Sequence, residues 1–256
     1  ECFYTLNSGS NGSGVDFYTS PTDPTTPYSF TANGFETSSI TTTPDTSGYF
    51  PYTLDGTVAG ATLTASSYVG ENAFEFNGTS DAIALPPAYL MEIAGGNSRT
   101  ISFWASASTW VDNDVFFSYG VNNNAEDFTL LQKSGPDLQL NLWGGDLRVS
   151  ANSSTGWNHY FIIYDASETT SYVYQNNDLL GSINRAINTY PSAAFVVGDS
   201  PHYWGGGFFE GVIDEFAVWN RALNSCERDV VYNFLQTGSA IAASGSSPNL
   251  LEQFCF

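Results

Sequence analysis

Phe209-Glu-Gly-Val-Ile-Asp214-Glu215-Phe-Ala-Val-Trp219-Asn-Arg-Ala-Leu223 is the stretch whose reading decides the fold. β-branched and aromatic residues run through it almost without interruption, the composition of a strand with both faces partly buried. One acidic pair, Asp214–Glu215, interrupts the run, which predicts a carboxylate placed where the backbone needs a partner. A strand of this kind closes a two-sheet sandwich. Short runs with the same character lie upstream: Val58 to Tyr68, Phe74 to Phe76, Ile83 to Leu85, Thr100 to Trp104, Val115 to Tyr119 and Phe128 to Leu131. Leu138 to Leu142, Leu147 to Val149, Asn158 to Tyr164, Ser171 to Tyr174 and Ala194 to Val197 follow. Asn77-Gly78 is expected to make a hairpin turn with positive φ. About a dozen short strands between Gly, Asn and Asp turns predict an all-β, antiparallel two-sheet jelly-roll sandwich.

The chain has 256 residues, 42% hydrophobic and 16% aromatic, enough for one large β domain with extra arms. Its formal net charge is −20, yet only 12% of residues are charged. The imbalance comes from missing bases: Arg99, Lys133, Arg148, Arg185, Arg221 and Arg228 are the six cations. Such a surface repels nucleic acid and anionic membranes and suits cations, neutral glycans or basic partners. No apolar run reaches the roughly 18–20 residues of a membrane span.

Chain start and cysteine usage point to a secreted, extracellular product. The sequence begins at Glu1 rather than Met, as a processed chain would. Three sequons stand at Asn11, Asn77 and Asn152, and three cysteines at Cys2, Cys226 and Cys255. The expected disulfide joins Cys2 and Cys255, within one chain or between neighbours. Cys226 is either a small buried hydrophobe in a helix or the odd thiol.

Residues 1–47 read as a Ser/Thr/Pro-rich extended arm, ordered only where Phe17-Tyr18 and Tyr28-Ser29-Phe30 dock, or else a disordered stalk. The jelly-roll domain is expected over 48–237, and 238–256 as a flexible tail with an apolar, Cys-containing end. One short C-terminal helix is expected after Asn224, whose side chain caps it with Glu227 completing a capping box. Val230, Val231, Phe234 and Leu235 give it an apolar face, and Gly238 ends it.

Five blocks in order resemble laminin G-like jelly rolls of the concanavalin A-like lectin/glucanase superfamily over residues 49–237. They are Gly70 to Asp81, Thr100-Ile-Ser-Phe-Trp104, Gly156-Trp157-Asn158-His159-Tyr160, Tyr172 to Asn177 and Gly211 to Leu223. The resemblance implies a fold that mostly binds and in some branches hydrolyses glycosides. It also implies that Asp214 holds either a structural calcium ion or backbone amides, with Asp81 as its partner. Two further calcium candidates are the loop with Asp112 and Asp114, and the loop with Glu126 and Asp127, which resembles the acidic rim loops of pentraxin-like relatives.

A retaining glycosidase needs two carboxylates about 5–5.5 Å apart. Glu210 and Asp214 share a strand face but stand four residues apart, and Asp214 and Glu215 face opposite ways. The chain is therefore expected not to be an enzyme. His159 reads as a structural histidine in a core strand. For glycans, an aromatic face beside amides and carboxylates is the useful arrangement, because sugar C–H groups stack on the ring. Tyr203 and Trp204 ahead of a glycine run, Trp143 ahead of Gly144-Gly145-Asp146, and Trp110 are the candidates. Trp104, Trp157 and Trp219 are assigned to the core. The expected function is calcium-assisted recognition of a glycan or glycoprotein. The rival is a structural subunit of an extracellular filament, coat or appendage, assembling with identical copies through its arm and tail.

Overall fold

The computed structural model describes residues 2–6, 42–43, 56–69, 72–85, 93–152, 156–191, 195–202 and 207–237. The sequon at Asn11, the loop with Tyr203 and Trp204, Cys255 and the tail 238–256 lie outside the described residues, as does most of the expected arm.

Among the described residues there are sixteen strands and one helix. In chain order they are β1 (Cys2–Leu6), β2 (Thr42–Thr43), β3 (Gly56–Ala59), β4 (Thr62–Thr64), β5 (Ala73–Asn77) and β6 (Ala82–Leu85). Next come β7 (Arg99–Ala107), β8 (Val115–Tyr119), β9 (Thr129–Lys133), β10 (Asp137–Asn141), β11 (Leu147–Ser150) and β12 (Asn158–Asp165). β13 (Thr170–Gln175), β14 (Asp178–Asn184), β15 (Phe195–Val197), β16 (Glu210–Trp219) and α1 (Ser225–Thr237) complete the set. One sheet has the order β14-β13-β12-β7-β16-β5-β4, with β1 also pairing β16. The other has the order β11-β10-β9-β8-β15-β6-β3-β2. Every ladder is antiparallel. The expected jelly-roll sandwich is therefore the observed fold.

Aromatic side chains fill the space between the sheets. Phe103 stacks on Phe216 at 5.4 Å, and Phe117 stacks on Phe195 at 5.4 Å. A second, smaller layer lies on the outer face of the first sheet. There Trp104, Phe161, Ile163 and Trp219 meet Leu223 and Val231, which α1 and its lead-in bring down. The helix starts as expected. Glu227 N donates to Asn224 Oδ1 at 3.0 Å, and Asn224 N donates to Glu227 Oε2 at 2.8 Å. This reciprocal pair satisfies two amide donors that the helix cannot use internally.

Four expectations need correction. Gly78 does adopt φ +71°, but β5 and β6 do not form a hairpin. β5 enters one sheet and β6 the other, because Asn77 Oδ1 accepts from Thr79 N and Ser80 N and widens the turn into a corner. The run from Val58 likewise splits at Gly60, φ +86°, into β3 and β4 of different sheets. β14 was not foreseen. It follows Asn176 and Asn177, φ +51° and +66°, a two-residue turn with both centres in the left-handed region. Finally, both ends of the expected arm are sheet strands: β1 pairs β16 and β2 pairs β3.

Candidate functional site

Asp214 stands where β16 changes neighbours. On one side β16 pairs β7 along most of its length, while on the other β5 covers Glu210–Ile213 and β1 covers Phe216–Trp219. The ladder bulges between Asp214 and Ala217, and Glu215 takes φ +49°. The Asp214 carboxylate fills the gap. Its Oδ2 accepts from Tyr68 N and Val69 N, both at 2.9 Å, and its Oδ1 from Glu215 N at 2.9 Å. Burial raises its pKa to about 6, against the pull of these three amides. Of the two roles the resemblance implied, the geometry carries the amide one. Three N–H dipoles aimed at one carboxylate repel a cation, so calcium does not fit Asp214. Asp81 has partners of its own: its Oδ2 accepts from Asn77 N at 3.0 Å, and its Oδ1 from Ser80 Oγ at 3.3 Å.

The loop carboxylates also have partners. Asp112 Oδ1 accepts from Ser134 N at 2.8 Å and its Oδ2 from Asn113 Nδ2 at 3.1 Å, while Lys133 Nζ donates to Asn113 Oδ1. Asp114 is raised to about 6 by burial and then by the Glu210 carboxylate, and it accepts the Glu210 backbone N–H, which lowers it. Asp127 is 4% exposed. It accepts from Thr129 Oγ1 at 2.6 Å and Asn141 Nδ2 at 2.8 Å. Burial raises it to about 7 against the Thr129 bond and a backbone N–H from Phe128, and the Asp146 carboxylate adds to the rise. Glu126 is half-buried in the same loop. Among the described residues no group of three or more His, Cys, Asp or Glu side chains is placed to hold a metal ion.

The open polar ground lies at the β10–β11 edge of the second sheet. Leu138, Leu140 and Val149 point into the core, so alternation puts Asp137, Gln139, Asn141, Arg148 and Ser150 on the outer face. Arg148 Nε donates to Asp137 Oδ2 at 2.8 Å, Ser150 Oγ to Asp137 Oδ1 at 3.0 Å, and Gln139 Nε2 to Asp146 Oδ2 at 3.0 Å. Arg148 and Ser150 are exposed, and Asp137 and Gln139 are half-buried, whereas Asn141 is buried and donates to Asp127, so the open row ends at Gln139 on β10. The segment after β15 lies over the neighbouring strand. Ser118 Oγ donates to Asp199 O at 2.9 Å, Val115 N to Gly207 O at 2.7 Å, and Asn122 Nδ2 to His202 O.

Trp143 ends this polar row at the tip of the β10–β11 hairpin. It is 37% exposed and held at φ +52°, a region bulky side chains rarely occupy. What holds it there is a set of bonds from other loops. Ala125 N donates to Leu142 O at 3.0 Å and to Trp143 O at 3.3 Å. Arg185 Nη2 donates to Asn124 Oδ1 at 2.6 Å and Trp143 O at 3.3 Å. Gly144 and Gly145 make that approach possible, since a Cβ on Gly145 would stand 2.4 Å from Arg185 Nη1. Tyr190, 44% exposed, is tied to the same loop through Tyr190 N to Glu126 O at 3.1 Å.

Of the aromatic candidates, Trp143 alone is described and exposed. Trp110 packs against the core and donates Nε1 to Lys133 O at 2.8 Å. Trp104 and Trp219 are buried in the outer layer, with Trp157 partly buried against it. His159 is fully buried, shares a 2.9 Å bond between Nε2 and Ser102 Oγ, and is pushed down to about 3 by burial, so it stays neutral. Asn77 and Asn152 are both exposed. Cys226 is disulfide-bonded. Cys226 is therefore neither a free thiol nor a plain buried hydrophobe, while the expected Cys2–Cys255 bridge falls on side chains outside the described residues.

This double-layered jelly roll is a lectin-type fold, and the matching family model is laminin G-like, described as the concanavalin A-like lectin/glucanases superfamily; it covers residues 77–227. The chain belongs to that family. Among curated proteins none is similar to it in sequence. Solved structures are similar in fold. The binding domain of botulinum neurotoxin serotype D/C is 16% identical, with TM-score 0.60 over 92% of this chain and 52% of that one. The binding domain of Paraclostridial Mosquitocidal Protein 1 is 18% identical, with TM-score 0.56 over 75% of this chain and 49% of that one. Domain 4 of AbnA, a GH43 extracellular arabinanase from Geobacillus stearothermophilus solved with arabinotriose, is 17% identical. It aligns with TM-score 0.55 over 77% of this chain and 92% of that one. The chain spans about half the length of the two toxin binding domains.

Proposed function

We propose that the chain is a secreted, non-catalytic recognition module that binds a neutral glycan, free or on a glycoprotein, along the β10–β11 edge. The observation that carries the reading is Trp143: an exposed indole, fixed in a strained conformation, at the end of an outward row of amides and carboxylates. An indole offers a stacking face to sugar C–H groups, and Gln139, Asp146 and Arg148 supply donors and acceptors for hydroxyls. The strain at Trp143 costs on the order of 1–3 kcal/mol, and packing alone does not call for it. A net charge of −20 favours a neutral ligand over an anionic one. Secretion is supported by the disulfide at Cys226 and the three sequons. The neighbours that are binding domains support a non-catalytic role, as does Asp214, whose carboxylate is engaged by three amides. Calcium is not part of this reading, because the Asp214 and Asp81 carboxylates already accept backbone N–H bonds. Among the described residues no helix is long and apolar enough to cross a membrane.

The test is a glycan array followed by calorimetry on the wild-type chain and Trp143→Ala. Loss of an aromatic stack, about 0.5–1.5 kcal/mol, weakens binding up to about tenfold. A blank array, or hits that Trp143→Ala leaves at full strength, overturns the reading.

A further inference from the structure

A second exposed ring stands on the segment that leads to β15. Ile187 and Thr189 are buried while Asn188 and Tyr190 are exposed, so side chains alternate along this stretch and Tyr190 faces outward. The inward side is firmly anchored. Thr189 exchanges two backbone bonds with Gly95, at 2.8 and 3.1 Å. The fully buried guanidinium of Arg99 closes the arrangement, donating to Thr189 Oγ1 and Gly95 O at 2.8 Å and to Asn97 O at 2.9 Å. A buried cation is costly unless its hydrogen bonds are met, and here they tie three backbone positions together. Pro191 then confines the Tyr190 backbone to extended conformations. Tyr190 is thus presented on a stiff support, and a ligand that uses it meets little ordering cost.

The loop 123–126 joins this ring to Trp143. Ala125 N donates to Trp143 O at 3.3 Å, Asn188 N to Ala125 O at 2.7 Å, and Tyr190 N to Glu126 O at 3.1 Å. Two hydrogen-bonded steps and one residue of chain therefore separate the Trp143 and Tyr190 backbones, about 15 Å at most. Asn123 and Asn124 are exposed on that loop, and Asn188 beside it. Neutral amides between two rings both donate to and accept from hydroxyls.

We propose, building on the glycan reading of Trp143, that Tyr190 is a second stacking platform of the same site, and that the ligand is a linear neutral oligosaccharide running from Trp143 across the 123–126 loop to Tyr190. Recognition of a single terminal sugar would use Trp143 alone. Two rings held a loop apart take different sugars of one chain, and the second contact is then made within an already bound molecule.

The experiment is calorimetry on the full chain with cello-, manno- and xylo-oligosaccharides of increasing length, from the monosaccharide upward. Wild type, Trp143→Ala, Tyr190→Ala and Tyr190→Phe are compared. Wild-type affinity is expected to rise with chain length and then level off. Tyr190→Ala is expected to remove that rise, up to about tenfold at the longest ligand, while leaving the shortest binding ligand unchanged. Tyr190→Phe keeps the ring and is expected to restore the rise, which separates stacking from a structural effect. Trp143→Ala weakens every length. A wild-type affinity that is flat with length, or a rise that survives in Tyr190→Ala, overturns this proposal and leaves the Trp143 reading standing if Trp143→Ala still weakens binding. Binding indifferent to Trp143→Ala, or no binding at any length, removes that reading and this proposal with it.

Discussion

Replacing Asp127 by asparagine removes one buried charge while keeping its bonds to Thr129 and Asn141, at the cost of the backbone N–H of Phe128 that the carboxylate also accepts. In the native protein Asp127 accepts from Thr129 Oγ1 and from Asn141 Nδ2. An asparagine can still accept from Asn141 through Oδ1 and can donate Nδ2 to the Thr129 hydroxyl, which accepts as readily as it donates. What changes with pH is the charge. Burial puts Asp127 at about 7, against about 3.9 for an exposed aspartate. The folded state therefore holds this proton to a higher pH than the unfolded state. Stability from this group is full below about pH 4 and is lost as pH rises to about 7. At 1.36 kcal/mol per pH unit the loss has a ceiling of about 4 kcal/mol. Asp114 and Asp214, both near 6, act in the same direction. Urea unfolding of wild-type protein and Asp127→Asn at pH 4.5 and at pH 8 separates the contributions. Between pH 4.5 and pH 8 the wild type is expected to lose about 3 kcal/mol relative to the variant, whatever constant offset the lost Phe128 bond adds at both pH values. An equal difference at both pH values would refute the reasoning, since the substitution would then act through geometry and not through charge.

Asp214→Ala leaves three backbone amides without their acceptor, two of them holding Tyr68 and Val69 across the sheet. A loss of about 3–5 kcal/mol is expected in the same urea assay. Trp143→Gly relieves the left-handed strain at the hairpin tip and is expected to raise stability by about 1 kcal/mol while weakening glycan binding up to about tenfold, so melting temperature and affinity move in opposite directions. Asn224→Ala removes the helix cap and is expected to cost about 1 kcal/mol, read by thermal melting. Chelator is expected to leave the melting temperature unchanged, because the Asp214 and Asp81 carboxylates are engaged by amides; a fall of several degrees would place a structural cation where none fits here.

Much of this molecule is legible wherever the signal is local. The β-branched run of β16, the reciprocal Asn224–Glu227 cap and the outward indole of Trp143 each follow from a few neighbouring residues. The role of Asp214 was open between a metal and amides, because its partners Tyr68 and Val69 lie about 145 residues away. Sheet assignment was not readable either. A turn such as Asn77-Gly78 looks the same whether it returns a strand beside itself or sends it across the sandwich, and the difference lies in which ladder each strand joins. The alternation of Asp137, Gln139 and Asn141 is visible in the sequence. That this row stays open while Ser118 on β8 is covered depends on where the segment after β15 falls. Arg185 and Asn124 carried no signal, since their purpose is to brace Trp143 from distant loops.

The layer beneath α1 gives the protein two seams of unequal strength. Among the described side chains its buried apolar set is small, eight residues from Val69 to Val231, against thirty-two between the sheets. The helix can therefore lift away while the sandwich stays shut. Amide exchange in α1 would then proceed through a partial opening of lower free energy than the one that releases β7 or β12. Because Trp104 lies stacked between Tyr68 and Tyr232, that opening would carry its own optical signature, a shift in indole emission ahead of global melting.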